Sequence, residues 1–255
     1  MDNDWMIYDV NVGKGKPHSS RGDACPFCAR ETLTNILETR GDMIWLMNKY
    51  PVFRGTWPTV LVESAEHDAD LSVYTKEKAR DVISFGMEKW LQTMRNPRFQ
   101  SVLYFRNFGA MAGGSQRHPH SQIMGLAHYD YTKDMKPEDF AGPVIYENAD
   151  ISVSLSDRPI FTMTEFNLQL AKDAGSDPMA DALAALSRYV LSEFPTRCES
   201  YNIFFYHLGG RILAKLFPRH SMSPLQAGYR IRSLMDEEHR RGMMERLRQA
   251  PYFGG

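Results

Sequence analysis

Short apolar runs and one amphipathic stretch organise the first half of the chain. Apolar side chains such as Ile83, Met87 and Trp90 recur every three or four residues, which predicts a helix. Thr75 is suited to cap the start of this helix, and we expect it to end near Arg95. The short runs predict strands, which fall at residues 43–47, 59–62, 102–105 and 120–126.

The second half repeats this order of elements. Asp177 and Pro178 predict the start of a helix, as its N-cap and first residue, and we expect this helix to reach about Glu193. Strands are predicted at residues 151–155, 160–164, 200–206 and 212–217. The charged stretch 231–248 is predicted to be helical. A shift of about 100 residues lays the two patterns over each other, which predicts an internal duplication.

Composition and charge exclude several classes of protein. The chain has 255 residues and a formal net charge of -1, so no general basic surface indicates nucleic-acid binding. No apolar run approaches a membrane span of about 20 residues, and the N-terminus lacks the pattern of a secretory signal. Three cysteines argue against a disulfide framework, and the isolated Cys198 is more typical of a buried thiol than of a nucleophile. We expect a cytoplasmic protein without membrane or nucleic-acid partners.

A candidate metal site follows an irregular arm that is predicted over residues 11–24. Cys25 and Cys28 have the spacing of two thiolate ligands on one tight turn. Together with His67 and His118 they supply the four ligands of a closed structural site, so Zn²⁺ is the predicted cofactor. A single CxxC pair also occurs in redox proteins or by chance, and His67 taken alone is more typical of a surface loop.

A glycine-rich loop precedes the segment that contains His118 and His120. Glycines let main-chain amides approach an anion closely, and neutral side chains add donors. The predicted phosphate-contacting residues are Gly109, Gly113, Gly114, Ser115 and Gln122. Arg117 either adds charge to this group or is a solvated surface side chain. A neutral imidazole can attack phosphorus and is also a good leaving group. Because His118 is assigned to the metal, His120 is the predicted nucleophile.

The loop and the histidines together match a longer motif, Asn-x-Gly-x-x-x-Gly-x-Ser-x-x-His-Pro-His-x-Gln. The matching residues are Asn107, Gly109, Gly113, Ser115, His118, Pro119, His120 and Gln122. On these residues the chain resembles the histidine-triad superfamily and, within it, the galactose-1-phosphate uridylyltransferases. The resemblance implies that His118 is a zinc ligand and that His120 becomes nucleotidylated. It also implies that Ser115 and Gln122 contact phosphoryl oxygens, and that Asn48 contacts the sugar of the nucleotide.

The resemblance further implies an α+β fold of duplicated histidine-triad-like units, with antiparallel sheets and packed helices. Residues 1–140 are the predicted catalytic unit with the zinc site, and residues 141–255 are a degenerate second unit. Leu213 and Lys215 replace a His-x-His pair that binds an additional metal in the family, so no second metal is expected. Lys215 and Arg230 are instead predicted to contact the phosphate of an acceptor.

The implied activity is that of a nucleotidyltransferase, which acts through a covalent nucleotidyl-histidine on a nucleoside diphosphate sugar or related nucleotide. Arg230 stands where a hexose-contacting glutamate is usual, so galactose is not implied. One alternative is a phosphorylase or hydrolase of dinucleoside polyphosphates or nucleotide sugars. Another is a zinc-containing nucleotide-binding protein without activity. A catalytic metal would need an open coordination position, against which the four-ligand set argues. The resemblance is also compatible with a homodimer.

Overall fold

The computed structural model of the protein describes residues 5–17, 24–220, 228 and 231–254. The α-helices are α1 (Val10–Lys14), α2 (Lys76–Met94), α3 (Asp177–Ser192) and α4 (Glu237–Leu247). The strands of the first half are β1 (Ile36–Arg40), β2 (Met43–Met47), β3 (Thr56–Val62), β4 (Ser101–Phe108) and β5 (His120–Leu126). Those of the second half are β6 (Val144–Glu147), β7 (Ile151–Leu155), β8 (Phe166–Leu170), β9 (Tyr201–Leu208) and β10 (Arg211–Pro218).

All of these strands belong to one antiparallel sheet, in the order β1-β2-β3-β5-β4-β9-β10-β8-β7-β6. The order is symmetric about the pair of β4 and β9, in which Tyr104 lies opposite Phe205. Each half contributes three strands, a helix and two strands in the same succession. The predicted α+β fold with duplicated units is therefore confirmed, and the two units share one continuous sheet. The predicted boundary at residues 140 and 141 lies between β5 and β6 and stays a prediction.

Helices α2 and α3 lie side by side on one face of the sheet. Thr75 caps α2, because its hydroxyl accepts a hydrogen bond from the amide of Lys78 at 3.2 Å. One hydrophobic core joins both helices to the sheet, and Trp90 of α2 and Leu183 of α3 are fully buried in it. Burying both helices against one sheet makes the two units a single packed body.

The opposite face of β2 and β3 carries a second set of apolar side chains. Strand residues alternate between the faces, and Leu46 and Val60 point away from the helices and pack against Phe27 and Leu33. Both faces of these strands are thus covered, which accounts for their nearly continuous apolar sequence. No helix in the described ranges is long and apolar enough to cross a membrane.

The predicted strand at 160–164 is wrong, because the strand of this region is β8 (Phe166–Leu170). Glu165 explains the difference. Its carboxylate accepts hydrogen bonds from the amides of Phe161 and Thr162, at 2.7 and 3.2 Å, and these bonds fold the segment into a loop. Loop amides that are satisfied by a side chain have no need of a neighbouring strand.

Three other predictions need smaller corrections. The arm over residues 11–24 is not wholly irregular, because Asp9 caps the short helix α1 by accepting from the amides of Asn11 and Val12. Helix α3 has Ser176 at its N-cap position, and Asp177 is its first residue. Helix α4 starts at Glu237, six residues after the predicted start, and Asp236 caps it.

Candidate active site

The segment from His118 to His120 is held at the end of β3. His120 lies opposite Val62 in the pairing of β3 with β5, and the amide of Glu63 donates to the carbonyl of Pro119 at 3.1 Å. His120 and Gln122 therefore point to the face of the sheet that lacks α2 and α3. The ring of Phe27 packs beside His120, with 5.3 Å between the ring centroids.

One hydrogen bond fixes the tautomer of His120. Its Nδ1 lies 2.8 Å from the main-chain carbonyl oxygen of His118. A carbonyl can only accept, so Nδ1 carries the proton and Nε2 keeps a free electron pair. Burial lowers the pKa of His120, a residue that is 7% exposed, and this favours the neutral imidazole. The arrangement suits nucleophilic attack from Nε2.

The structure brings the four predicted metal ligands together. The ligand atoms of Cys25, Cys28, His67 and His118 all lie within 4.8 Å of one another. The Sγ atom of Cys28 is 3.2 Å from Nδ1 of His67 and 3.5 Å from Nδ1 of His118. In a tetrahedral zinc site, bond lengths of about 2.3 Å for sulfur and about 2.0 Å for nitrogen give an edge of about 3.5 Å.

The protonation of His118 also fits a metal. Its Nε2 lies 2.9 Å from the carbonyl oxygen of Ser64 and must donate to it, so the electron pair of Nδ1 faces the cluster. A hydrogen bond of this kind orients a histidine ligand in metal sites. The donor set, the spacing and the tautomer agree, and the cluster can hold a metal ion.

A pocket opens between His120 and the apolar surface of β2 and β3. Its apolar wall includes Phe27, Leu33, Leu46 and Val60. Its polar lining includes Lys16, Asn35, Asn48, Lys49, Ser115, Gln116, His120 and Gln122, with Thr32 and Thr34. An apolar slot with a few convergent polar groups is typical of small-ligand sites. The sequence-predicted residues Asn48, Ser115, His120 and Gln122 therefore share one cavity.

Lys16 is a pocket residue that the sequence analysis missed. It follows α1 in the arm, and burial lowers the pKa of its ammonium group. The side chain of Gln116 donates to the carbonyl of Pro17 at 2.8 Å, which ties the arm to the histidine segment. A basic residue in a glycine-rich arm has no distinctive spacing, so only the fold reveals its position.

The glycine loop lies beside the pocket and is held by asparagines. The Nδ2 atom of Asn202 donates to Oδ1 of Asn107 at 2.6 Å and to the carbonyl of Ala112 at 2.9 Å. Asn202 therefore joins Asn107, just before the loop, to Ala112 within it, and Asn107 helps to hold the loop. Gly113 adopts φ 77° in this loop, a conformation that favours glycine, and Gly114 precedes Ser115.

Two other predicted substrate contacts, Arg117 and Lys215, do not line the pocket. Arg117 pairs with Asp68 at 2.7 Å, and both side chains are more than two-thirds exposed, so Arg117 is a surface residue. Lys215 is fully buried and its Nζ lies 2.9 Å from Oε2 of Glu165, so this ammonium group is already paired. Arg230 lies outside the described residues.

A buried polar network lies behind the histidine segment. The guanidinium group of Arg106 donates to both carboxylate oxygens of Glu63 and to the hydroxyl of Tyr201. Tyr201 in turn donates to Asp70 at 2.7 Å. A charged residue directly after the predicted strand at 102–105 was the available signal, but its partner is 43 positions away in the sequence.

Models of protein families match the chain over both units. The domain of unknown function DUF4931 matches with its N-terminal domain at residues 8–129 and with its C-terminal domain at residues 132–253. The chain belongs to the DUF4931 family. A DUF4931 family protein from Bacillus cereus ATCC 10987 has a similar crystal structure, with 37% identity and a TM-score of 0.75. The match covers 82% of this DUF4931 protein and 98% of the other.

More distant relatives confirm the predicted resemblance to the galactose-1-phosphate uridylyltransferases. The enzyme of that name from Streptomyces lividans is 27% identical over 112 residues, which are 43% of the DUF4931 protein and 32% of the enzyme. The match thus spans about a third of that relative. An ADP-glucose phosphorylase from Arabidopsis thaliana, solved with bound ADP-glucose, shares the fold at 18% identity, with a TM-score of 0.66 and 96% of each chain covered.

Proposed function

We propose that this DUF4931 protein is a nucleotidyltransferase that forms a covalent bond between His120 and the α-phosphorus of a nucleotide. The observation that carries the proposal is the bond from Nδ1 of His120 to the carbonyl of His118, which leaves Nε2 unprotonated in a pocket. The substrate class is a nucleoside diphosphate sugar or a related nucleotide. The first unit, residues 1–140, supplies the groups for this chemistry.

The lining of the pocket supports one orientation of the nucleotide. The base would fill the apolar slot against Leu46 and Val60, with the ribose near Asn48. Oδ1 of Asn48 accepts from the amide of Tyr50 at 2.9 Å, so the side chain is held at the wall of the pocket. Ser115, Gln122 and Lys16 would then face the phosphates. Neutral donors and one cation can stabilise the charge that develops on nonbridging oxygens.

The reaction would proceed by two displacements at phosphorus. In the first, the electron pair of Nε2 forms a bond to phosphorus, and the bond to the leaving phosphate oxygen breaks with its electrons. The positive charge on the ring is stabilised by the carbonyl of His118, to which Nδ1 donates. In the second, an oxygen of the acceptor bonds to phosphorus and the electron pair returns to Nε2. A phosphate leaving group requires little protonation, so no strong general acid is needed.

We also propose that the cluster binds one zinc ion. Cys25, Cys28, His67 and His118 would hold it. With four protein ligands, bound zinc would supply structural stabilisation. His118 would then join the metal to the main-chain carbonyl that orients His120.

Two other functions are alternatives to nucleotidyl transfer at this site. A phosphorylase or hydrolase would form the same bond to His120 and differ in the second acceptor. The ADP-glucose phosphorylase that shares the fold supports keeping this alternative. A nucleotide-binding protein without activity would use the same pocket and never become labelled.

A labelling experiment tests the covalent step. The protein is incubated with dinucleoside polyphosphates and nucleoside diphosphate sugars that carry ³²P at the α-position, and acid-labile label on the protein is measured. We expect label on the wild type and on His128→Ala, a control at a histidine outside the pocket lining. His120→Ala should keep its fold and lose the label, with turnover lower by at least about 10³-fold.

Two results would contradict the proposal. One is label that persists in His120→Ala. The other is steady-state kinetics of two substrates with intersecting lines, because a covalent intermediate requires that the first product leave before the acceptor binds. Nucleotide binding without label on any variant would support the inactive alternative.

A further inference from the structure

An arginine of the second unit shares the sheet face of His120. Asn202 lies opposite Asn107 on β4 and opposite Phe217 on β10, so these three residues point to the same face. The amide of Arg219 donates to the carbonyl of Ser200 at 2.8 Å, which continues the pairing of β9 with β10. Arg219 is two residues beyond Phe217 and therefore points to that face as well.

The guanidinium group of Arg219 has no anionic partner among the described residues. It is partly buried, and its nearest aromatic contact is the ring of Phe161, 4.5 Å from the centroid. Burial lowers the pKa of Arg219, and no carboxylate in the described part of the chain counteracts this effect. The more deeply buried Arg106 and Arg240 are instead paired with Glu63 and Asp157. Partly desolvated cations are normally paired, so Arg219 has the properties of an anion site.

The glycine loop connects this arginine to the pocket. The hydroxyl of Ser200 accepts from the amide of Met111 at 3.2 Å, so the strand position beside Arg219 contacts the loop that ends at Ser115. The nucleoside pocket lies on the β2 and β3 side of His120, and Arg219 lies on the opposite side. Three strand spacings, about 14 Å in all, separate the axes of β5 and β10. Arg219 is therefore remote from the phosphate at His120 and is placed for a phosphate farther along the substrate.

We propose that Arg219 binds a second phosphoryl group, on the part of the substrate that leaves or attacks phosphorus. This inference rests on the proposed function, in which His120 holds the reacting phosphate. The planar guanidinium fork binds phosphate oxygens in pairs. Such a site requires a substrate with a phosphate chain, or with a separate phosphate, beyond the reacting phosphate. Arg219 takes the phosphate-binding role that was predicted for Lys215. The ammonium group of Lys215 is instead paired with the carboxylate of Glu165.

A binding experiment without chemistry tests this site. Inorganic tripolyphosphate reaches beyond a single phosphate position, whereas orthophosphate does not, and both are titrated calorimetrically. We expect Arg219→Gln to weaken tripolyphosphate binding about tenfold or more, with orthophosphate binding unchanged. Arg211→Gln is the matched control, because Arg211 is exposed at the other end of β10. Equal tripolyphosphate affinity in the wild type and Arg219→Gln, or no binding by the wild type, would overturn the proposal.

A second measurement uses the unaltered chain, in case Arg219→Gln does not fold. Phenylglyoxal modifies arginines, and peptide mass spectrometry reports each site. We expect tripolyphosphate to slow modification of Arg219 and to leave Arg211 unaffected. Equal rates at Arg219 with and without tripolyphosphate would contradict the proposal. The outcome is independent of the ³²P experiment: absent label with protection at Arg219 rejects the covalent step alone, and label without protection rejects the second phosphate site alone.

Discussion

The Nε atom of Arg106 lies 3.0 Å from Oε1 of Glu63, and both side chains are at least 98% buried. This ion pair joins β4 to the residue that follows β3. Because the amide of Glu63 also donates to Pro119, the pair supports the histidine segment from behind. Through Tyr201 the same guanidinium group reaches the second unit. The position of His120 thus depends on both halves of the chain.

Removing one charge of this pair should destabilise the protein strongly. Glu63→Gln leaves the guanidinium group of Arg106 buried without its counter-charge, and we expect the free energy of unfolding to fall by about 3–5 kcal/mol. Urea denaturation measures the change. Glu66→Gln, an exposed position three residues away, should stay within about 0.5 kcal/mol of the wild type. A similar small effect at both positions would show that the pair contributes little.

The metal site should distinguish the three cysteines. Elemental analysis should find close to one zinc per chain in the wild type and in Cys198→Ser, whose thiol is buried away from the cluster beside the carbonyl of Ser200. Cys28→Ser removes a ligand and should lose the zinc. Because metal binding contributes to folding, the melting temperature should fall with it. Zinc retained in Cys28→Ser would contradict the assigned ligands.

Two glycines of the loop should respond differently to alanine. Gly109 has φ 83°, and an added Cβ would collide with Ser200 and the main-chain oxygen of Glu199. Gly113 has φ 77° with open space around it. We expect Gly113→Ala to cost about 1–2 kcal/mol of unfolding free energy from its backbone conformation. Gly109→Ala should cost more and should also reduce ³²P labelling, because the loop must shift. Identical behaviour of the two variants would argue against a rigid loop.

The ion pair between the helices should contribute to stability only above acidic pH. Arg80 donates to both oxygens of Asp181, at 2.9 and 2.7 Å. Partial burial favours the neutral acid, but the bonds from Arg80 outweigh it, and the pKa of Asp181 lies below its usual value of 3.8. The stabilisation is therefore present above pH 3.8 and is lost as the pH falls through the lower folded-state pKa.

Asp181→Asn measures this contribution. Both side chains are about one-third exposed, so we expect a loss of about 0.5–1 kcal/mol in unfolding free energy near pH 7. The difference from the wild type should disappear below the folded-state pKa. The exposed Asp173→Asn is the control and should have little effect at either pH. A difference that persists in acid would indicate packing instead of charge.

The sequence predicted the central strands and the two long helices better than the edges of the sheet. Strand β2 is buried on both faces, so its apolar run is a strong signal. Strands β1 and β6 lie at the two edges and are largely exposed, and their sequences lack that signal. The loop before β8 contains apolar residues with strand propensity, but Glu165 holds its amides. A local sequence pattern does not reveal tertiary hydrogen bonds of this kind.

In the candidate site, likewise, some residues could be predicted from the sequence and others could not. His118, His120 and Gln122 are neighbours in sequence, so a local motif was sufficient to propose that they act together. Lys16 and Arg219 approach the site only through the packing of the arm and the order of the strands. Lys215 had the expected charge, but its buried pairing partner is 50 positions away. Charge alone therefore did not identify the cation on this face.

The central pairing of β4 with β9 places two copies of one unit on a single polypeptide. A symmetric dimer of separate units would have to repeat every residue in both subunits. Covalent linkage removes that requirement, so the copies can diverge while the sheet remains intact. One copy has kept His118 and His120, and the other carries Lys215 and Arg219 on the corresponding face. Mutation of the second half can therefore alter the proposed acceptor site without altering the residues proposed to hold the nucleotide.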